Sequence, residues 1–260
     1  MITKGKNMVH GLVVATLLGA SVNGCRTEGN LDLNSHFSEQ PKPPSITSPE
    51  ERSPLNWNDL ASSYERFNDY VCLYEKEERA ISKGELQTIR LSFRKPFDVR
   101  LEWLDDSGKV DQVAVYRQGL NNGKVLARQN GLLGALAGKL QFDPNESLAL
   151  ADSRHPITEV GFGKLIERTQ RDAKNPGITS RFAGYEVLDG RSAYKFEFTA
   201  SEDQSVGGLA AAHQAFLWID KELKLPAKVE LYDRGKVLLE RHRFKDVKVN
   251  QKLSDKTFAL

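Results

Sequence analysis

Phe216-Leu217-Trp218-Ile219-Asp220, Ala227-Lys228-Val229-Glu230-Leu231-Tyr232 and the run from Leu238 to Val249 set the architecture of this chain. They read as three strands, Gln214 to Asp220, Ala227 to Tyr232 and Leu238 to Val249. β-Branched and aromatic residues recur in short runs, and Arg234-Gly235 punctuates the last two. A turn this short joins neighbours that run in opposite directions, so the closing third predicts an antiparallel meander.

Upstream, a period of two returns repeatedly. Ile89, Leu91 and Phe93 alternate with Arg90 and Ser92; Val99, Leu101 and Trp103 alternate with Arg100 and Glu102; Tyr194, Phe196 and Phe198 alternate with Lys195 and Glu197. Such alternation gives each strand one dry face and one wet face. Ser107-Gly108, Asn122-Gly123 and Asp189-Gly190 mark further hairpins, where glycine supplies a positive φ. Two stretches depart from this pattern. Trp57, Leu60, Ala61, Tyr64 and Phe67 recur at helical spacing behind a cap at Asn56 or Asn58, and a second helix is expected from about Ile157 to Ala173, entered through Pro156. Residues 55–260 therefore predict an α+β domain, a largely antiparallel sheet with one polar face and one or two helices on the other. No internal repeat is visible.

The start of the chain carries a different signal. Lys4 and Lys6 precede the apolar run Gly11 to Ala20, which closes on Val22-Asn23-Gly24-Cys25. A basic n-region, a short apolar stretch and a small residue before a cysteine form a bacterial lipoprotein signal over residues 1–24, with Cys25 as the acylated first residue. The run is too short for a spanning helix, which needs roughly 20 apolar residues. Arg26 stands where an aspartate would argue for inner-membrane retention, so anchoring at the periplasmic face of the outer membrane is expected. Residues 25–54 are polar and broken by Pro41, Pro43, Pro44, Pro49 and Pro54, the composition of a flexible tether.

Lysine and arginine nearly balance aspartate and glutamate, for a net charge of +2, and the signs are interspersed. No basic stripe points to a nucleic acid. With Cys25 lipidated, Cys72 has no cysteine partner within the chain and reads as a small buried hydrophobe.

The closing segment, Phe216 to Lys221, Leu225-Pro226-Ala227 to Tyr232, Phe244 to Asn250 and Phe258, resembles the last strands of the LolA/LolB-like fold of outer-membrane lipoprotein-sorting proteins. Lys95-Pro96-Phe97-Asp98-Val99 and Arg154-His155-Pro156-Ile157-Thr158 resemble more specifically the bacterial family of the domain of unknown function 1571. The resemblance spans about Tyr64 to Leu260. It implies an incomplete antiparallel barrel around an apolar cavity, with helices packed on its concave face. It further implies a protein of the envelope that binds a lipid or the acyl chain of a lipoprotein, or that senses such ligands or docks an envelope protein.

A cavity of that kind works by partition, at about 0.8 kcal/mol per buried methylene. Its candidate wall is Leu91, Phe93, Leu101, Trp103, Val115, Phe196, Phe198, Phe216, Trp218, Val229 and Leu231; each is also a candidate for plain core. Gly131-Leu132-Leu133-Gly134-Ala135-Leu136-Ala137-Gly138 reads either as an apolar lip, with Leu132, Leu133 and Leu136 meeting cargo or membrane, or as a buried turn. Gly207-Gly208 marks a loop.

Catalytic and metal signatures are weak. Arg154 and His155 are expected to satisfy nearby carbonyls or carboxylates beside Pro156, and the proximity of Asp152, Ser153 and His155 in sequence does not make a triad. No G-x-S-x-G elbow, H-E-x-x-H helix or phosphate loop occurs. His10, His36, His213 and His242 are scattered, so no metal site, cofactor or reaction is expected. Glu75-Lys76-Glu77-Glu78-Arg79 reads as a solvated strand end or turn.

Overall fold

In the computed structural model, which describes residues 54–79, 85–129, 138–147, 149–150 and 153–260, the period-two segments form eleven strands. They are β1 (Asp69–Glu78), β2 (Gln87–Arg94), β3 (Asp98–Leu104), β4 (Val110–Arg117), β5 (Val125–Gln129), β6 (Leu140–Phe142), β7 (Ile178–Leu188), β8 (Arg191–Ala200), β9 (Gln214–Asp220), β10 (Pro226–Tyr232) and β11 (Leu238–Val249). Their spatial order is β6-β5-β4-β3-β2-β1-β11-β10-β9-β8-β7, every pair antiparallel. Two meanders thus run outward from a central seam where β1 pairs with β11. Among the described residues the edge strands β6 and β7 each have one strand neighbour, so the sheet they form is open.

Register assigns side chains to faces, because alternate residues point to opposite sides and paired residues to the same side. One continuous row crosses seven strands through Gln87, Lys76, His242, Val229, Leu217, Phe196 and Phe182. On this inner face lie the helices α1 (Trp57–Glu65) and α2 (Phe162–Lys174). Leu60 of α1 and Phe162 and Ile166 of α2 share one buried cluster with Tyr70, Cys72, Phe93 and Leu217. Burial pushes the Cys72 thiol far above its ordinary range, as expected for a cysteine used as a hydrophobe.

Local chemistry explains where the helices begin. Asn56 caps α1, its side-chain oxygen accepting from the Asn58 N–H at 2.9 Å. The expected single helix from Ile157 is instead divided into a 3₁₀ turn, Ile157–Glu159, and α2. Gly161 separates them at φ +104, and a Cβ there would sit 2.6 Å from the Tyr70 hydroxyl. That hydroxyl accepts from the Phe162 N–H at 3.1 Å, satisfying one of the free donors at the helix start. At Arg234-Gly235 the positive φ falls one residue later, on Lys236.

Three of the expected cavity positions lie on the outer face. Val115 packs with Val113 and Phe258, beside the 3₁₀ turn Asp255–Phe258. Phe216 and Trp218 stack outside under Lys195, and the Trp218 indole N–H donates to Glu186 at 2.6 Å. The inner residues of β9 are Ala215, Leu217 and Ile219. Ala215 to Ile219 is apolar throughout, so it carries no alternation to set the phase, and pairing with β8 and β10 sets it instead. The same holds for Val113-Ala114-Val115, whose inner member is Ala114.

Candidate functional site: a two-ended pocket on the inner face

A cavity of about 190 Å³ opens between the inner face of the sheet and the segment that leads into α2. One end is apolar, formed by Ile89, Leu101, Trp103, Ala114, Val125 and Phe142 from β2 to β6, with Ile157 across from them. The other end is polar, formed by Lys76 and Glu78 of β1, His242 of β11, and Ser153, His155, Glu159 and Arg168. A larger recess, about 380 Å³, lies near the β7–β8 turn, but Arg191–Asp220 at 2.5 Å and Arg243–Asp189 at 2.6 Å already pair charges in and beside it.

The polar end is built by the seam. Pairing of β1 with β11 sets Lys76 opposite His242 and Glu78 directly opposite Glu240. Glu78 and Glu240 are each only 1% exposed, and like charges facing each other across a ladder are destabilising unless neutralised. The segment before α2 supplies part of the neutralisation. Arg154 donates from its guanidinium to Glu240 at 3.1 Å and from its backbone N–H to Glu78 at 2.8 Å, while Lys76 lies 3.7 Å from Glu78. Nε2 of His155 and Nε2 of His242 approach the same Glu240 oxygen at 3.1 and 3.2 Å. Burial opposes the charge on Glu240, yet the hydrogen bonds from the two histidines outweigh it and hold the carboxyl well below the usual carboxylate range.

The second ring nitrogens complete the network. Nδ1 of His242 is 2.7 Å from the Tyr74 hydroxyl, which burial keeps protonated as a donor. Nδ1 of His155 faces the Arg168 guanidinium at 3.5 Å. Both contacts fit rings that carry their proton on Nε2 and donate it to Glu240. The ligand atoms of Glu78, His155 and His242 also lie within 4.8 Å of one another, so residues that read as scattered in sequence converge. Lys76 and Arg154 already set positive charge beside the carboxylates there, Lys76 at 3.7 Å from Glu78 and Arg154 at 3.1 Å from Glu240. Ser153 does not form a nucleophile–base pair with His155, since its hydroxyl donates to the His155 main-chain carbonyl at 2.9 Å. Asp152 lies outside the described residues.

Of the expected wall residues, Leu101, Trp103 and Val229 line the pocket. Leu91, Phe93 and Phe196 sit in the shared core beneath the helices, and Phe198 and Leu231 border a separate void of about 30 Å³ against α2. Val115, Phe216 and Trp218 are on the far side of the sheet. Cys25, Leu132, Leu133 and Leu136 lie outside the described residues. The charged run is corrected: Lys76, Glu77 and Glu78 are buried within β1, all three paired with β11 and Lys76 also with β2, and are not solvated. Among the described residues no helix is long and apolar enough to cross a membrane.

The chain is similar in structure to the Pseudomonas aeruginosa MucA/MucB complex, at 19% identity and TM-score 0.47, covering 78% of this chain and 59% of that one. It thus spans about three fifths of the length of that relative. It is also similar to Mycobacterium tuberculosis lipoprotein LppX, at 12% identity and TM-score 0.45 over 76% of this chain and 94% of that one. A LolA superfamily protein from Nitrosomonas europaea matches at 11% identity and TM-score 0.30, over 79% and 98%. No curated protein matches. Residues 67–260 match the family described as Protein of unknown function (DUF1571), and the chain belongs to that family.

Proposed function

We propose that this is a non-enzymatic lipoprotein of the bacterial envelope, held at the outer membrane through acylated Cys25. Its LolA/LolB-like half-barrel would take the apolar chain of a lipid or of a lipoprotein into the inner-face pocket. The observation that carries the reading is the pocket itself, a cavity of about 190 Å³ with an apolar floor, where close packing is the rule for an interior. An engineered cavity of about 150 Å³ admits benzene, so this space suits roughly eight carbons, with a longer chain leaving through the opening. At about 0.8 kcal/mol per methylene, eight of them supply about 6 kcal/mol, which sets tens of micromolar as the tightest affinity from partition alone, before association costs are subtracted.

A second reading has its own observation. On edge strand β7, Tyr185 and Val187 are 55% and 69% exposed, and the strand has a free side where a partner's strand can add. The same half-barrel would then act as a sensor or docking module for an envelope protein. Native mass spectrometry of the full-length chain drawn from its own envelope separates the two, with co-purified lipid expected for the first and a co-purified protein without lipid for the second. Fatty-acid labelling should be lost in Cys25→Ser; a wild-type chain that takes no label would overturn the anchoring.

A further inference from the structure

Resting on the apolar-chain reading, we infer that the pocket selects an amphiphile with an anionic head, a carboxylate or a phosphate, seated against Arg168. Arg168 lies on α2 and lines the polar end of the cavity. Each buried carboxylate there has a cation of its own, Lys76 for Glu78 and Arg154 for Glu240. Arg168 makes no ion pair of its own among the described residues, and its charge acts only through space on the buried Asp172 carboxylate one turn further along α2. Its guanidinium donates to a main-chain carbonyl, that of Glu159 at 3.2 Å, and faces Nδ1 of His155 at the long distance of 3.5 Å. Its Nε–H is buried without any partner. Glu159 also lines the pocket, half-buried, and meets the guanidinium through its main-chain carbonyl.

A guanidinium carries five donors in a planar fork that matches a carboxylate or a phosphate. Leaving one part-buried at the polar end of the cavity, with a carbonyl and an imidazole as its hydrogen-bond contacts, carries a cost that an anion would offset. The Gly208 backbone passes close to the stem of Arg168, since a Cβ added there would sit 3.3 Å from the Arg168 Cδ, and φ at Gly208 is +77. Tail in the apolar end and anion at Arg168 is the orientation this geometry favours.

Four eight-carbon probes test the inference by calorimetry on the full-length chain: octanoate, octyl phosphate, octanol and octylammonium. Octanoate or octyl phosphate should bind at least about tenfold tighter than octanol, the scale of charge-assisted hydrogen bonds, and octylammonium weakest. The tighter of the two anions identifies the source, a fatty acid or a phosphate-bearing lipid. Arg168→Gln should bring the anions to within about twofold of octanol in the same variant, and Arg168→Lys should keep a reduced preference. Should Arg168→Gln fail to fold, Arg168→Lys decides, an undiminished preference counting against the assignment. Octanol binding as tightly as both anions in the wild type overturns the inference and leaves the apolar-chain reading standing. No binding by any probe overturns both.

Discussion

Filling the apolar end from within tests whether the pocket is open space or tolerated looseness. Ala114 lies on the inner face of β4, opposite Leu101 and Ala127, 6% exposed and at the pocket wall. Ala114→Leu adds three carbons to that wall. If they enter empty space they gain about 0.8 kcal/mol each, a stabilisation of about 2 kcal/mol, which raises Tm by about 4 to 8 °C for a domain of about 200 residues. The same three carbons exclude about three methylenes of a bound chain, so octanol affinity should fall about fiftyfold. Differential scanning calorimetry and octanol titration on one preparation read both effects. A Tm that drops by several degrees would show that the space is already filled, since overpacking costs about 1 to 3 kcal/mol. A higher Tm with unchanged octanol affinity would show a cavity that no chain uses.

Three further outcomes follow from the same geometry. Because the folded-state carboxyl of Glu240 is depressed, its stabilisation is complete above the unfolded value near 4.5 and is lost as pH falls below it; Glu240→Gln should cost about 3 kcal/mol or more at pH 7 and flatten the urea-unfolding profile between pH 5 and 3, and parallel profiles would refute the role. Trp218→Ala should cost about 3 to 5 kcal/mol yet leave octanol affinity within about twofold, whereas Leu101→Ala should weaken both; a tenfold loss of binding in Trp218→Ala would reverse the face assignment. Gly161→Ala should destabilise by about 1 to 3 kcal/mol, through its positive φ and the close approach to Tyr70. Thermal melts read the loss, and a Gly161→Ala domain that melts with the wild type would show that neither the φ nor the close approach carries strain.

Where strands alternate cleanly, the sequence was enough. Ile89, Leu91, Phe93, Leu101 and Trp103 all point inward, since a charged or polar residue marks the opposite face at every second position. The cap at Asn56 and the last three strands were likewise local matters, settled within a few residues. The phase of a strand was illegible in two places for one reason. Ala215 to Ile219 and Val113 to Val115 are apolar on both faces, and local sequence cannot set the phase of a strand whose outer face is also covered, here by Phe258 in one case and by Lys195 with Glu186 in the other. The seam of β1 with β11 is legible only in outline, because it joins residues about 170 positions apart.

The charged run is the instructive failure. Tyr70, Cys72 and Tyr74 set an inward phase on β1, and the same phase carried forward by twos places Lys76 and Glu78 on the dry face. Periodicity therefore pointed to burial while composition pointed to solvent, and periodicity was right. What it could not supply was the compensation, which comes from His242 and Glu240 across the seam and from Arg154 and His155 on the connection to α2. A row of buried charge is costly for folding alone, and an apolar row of similar volume would often be as stable or more so. Here it does something an apolar row cannot: it gives one cavity two chemically distinct ends, and with each carboxylate already matched it leaves Arg168 as the cation that a ligand can complete.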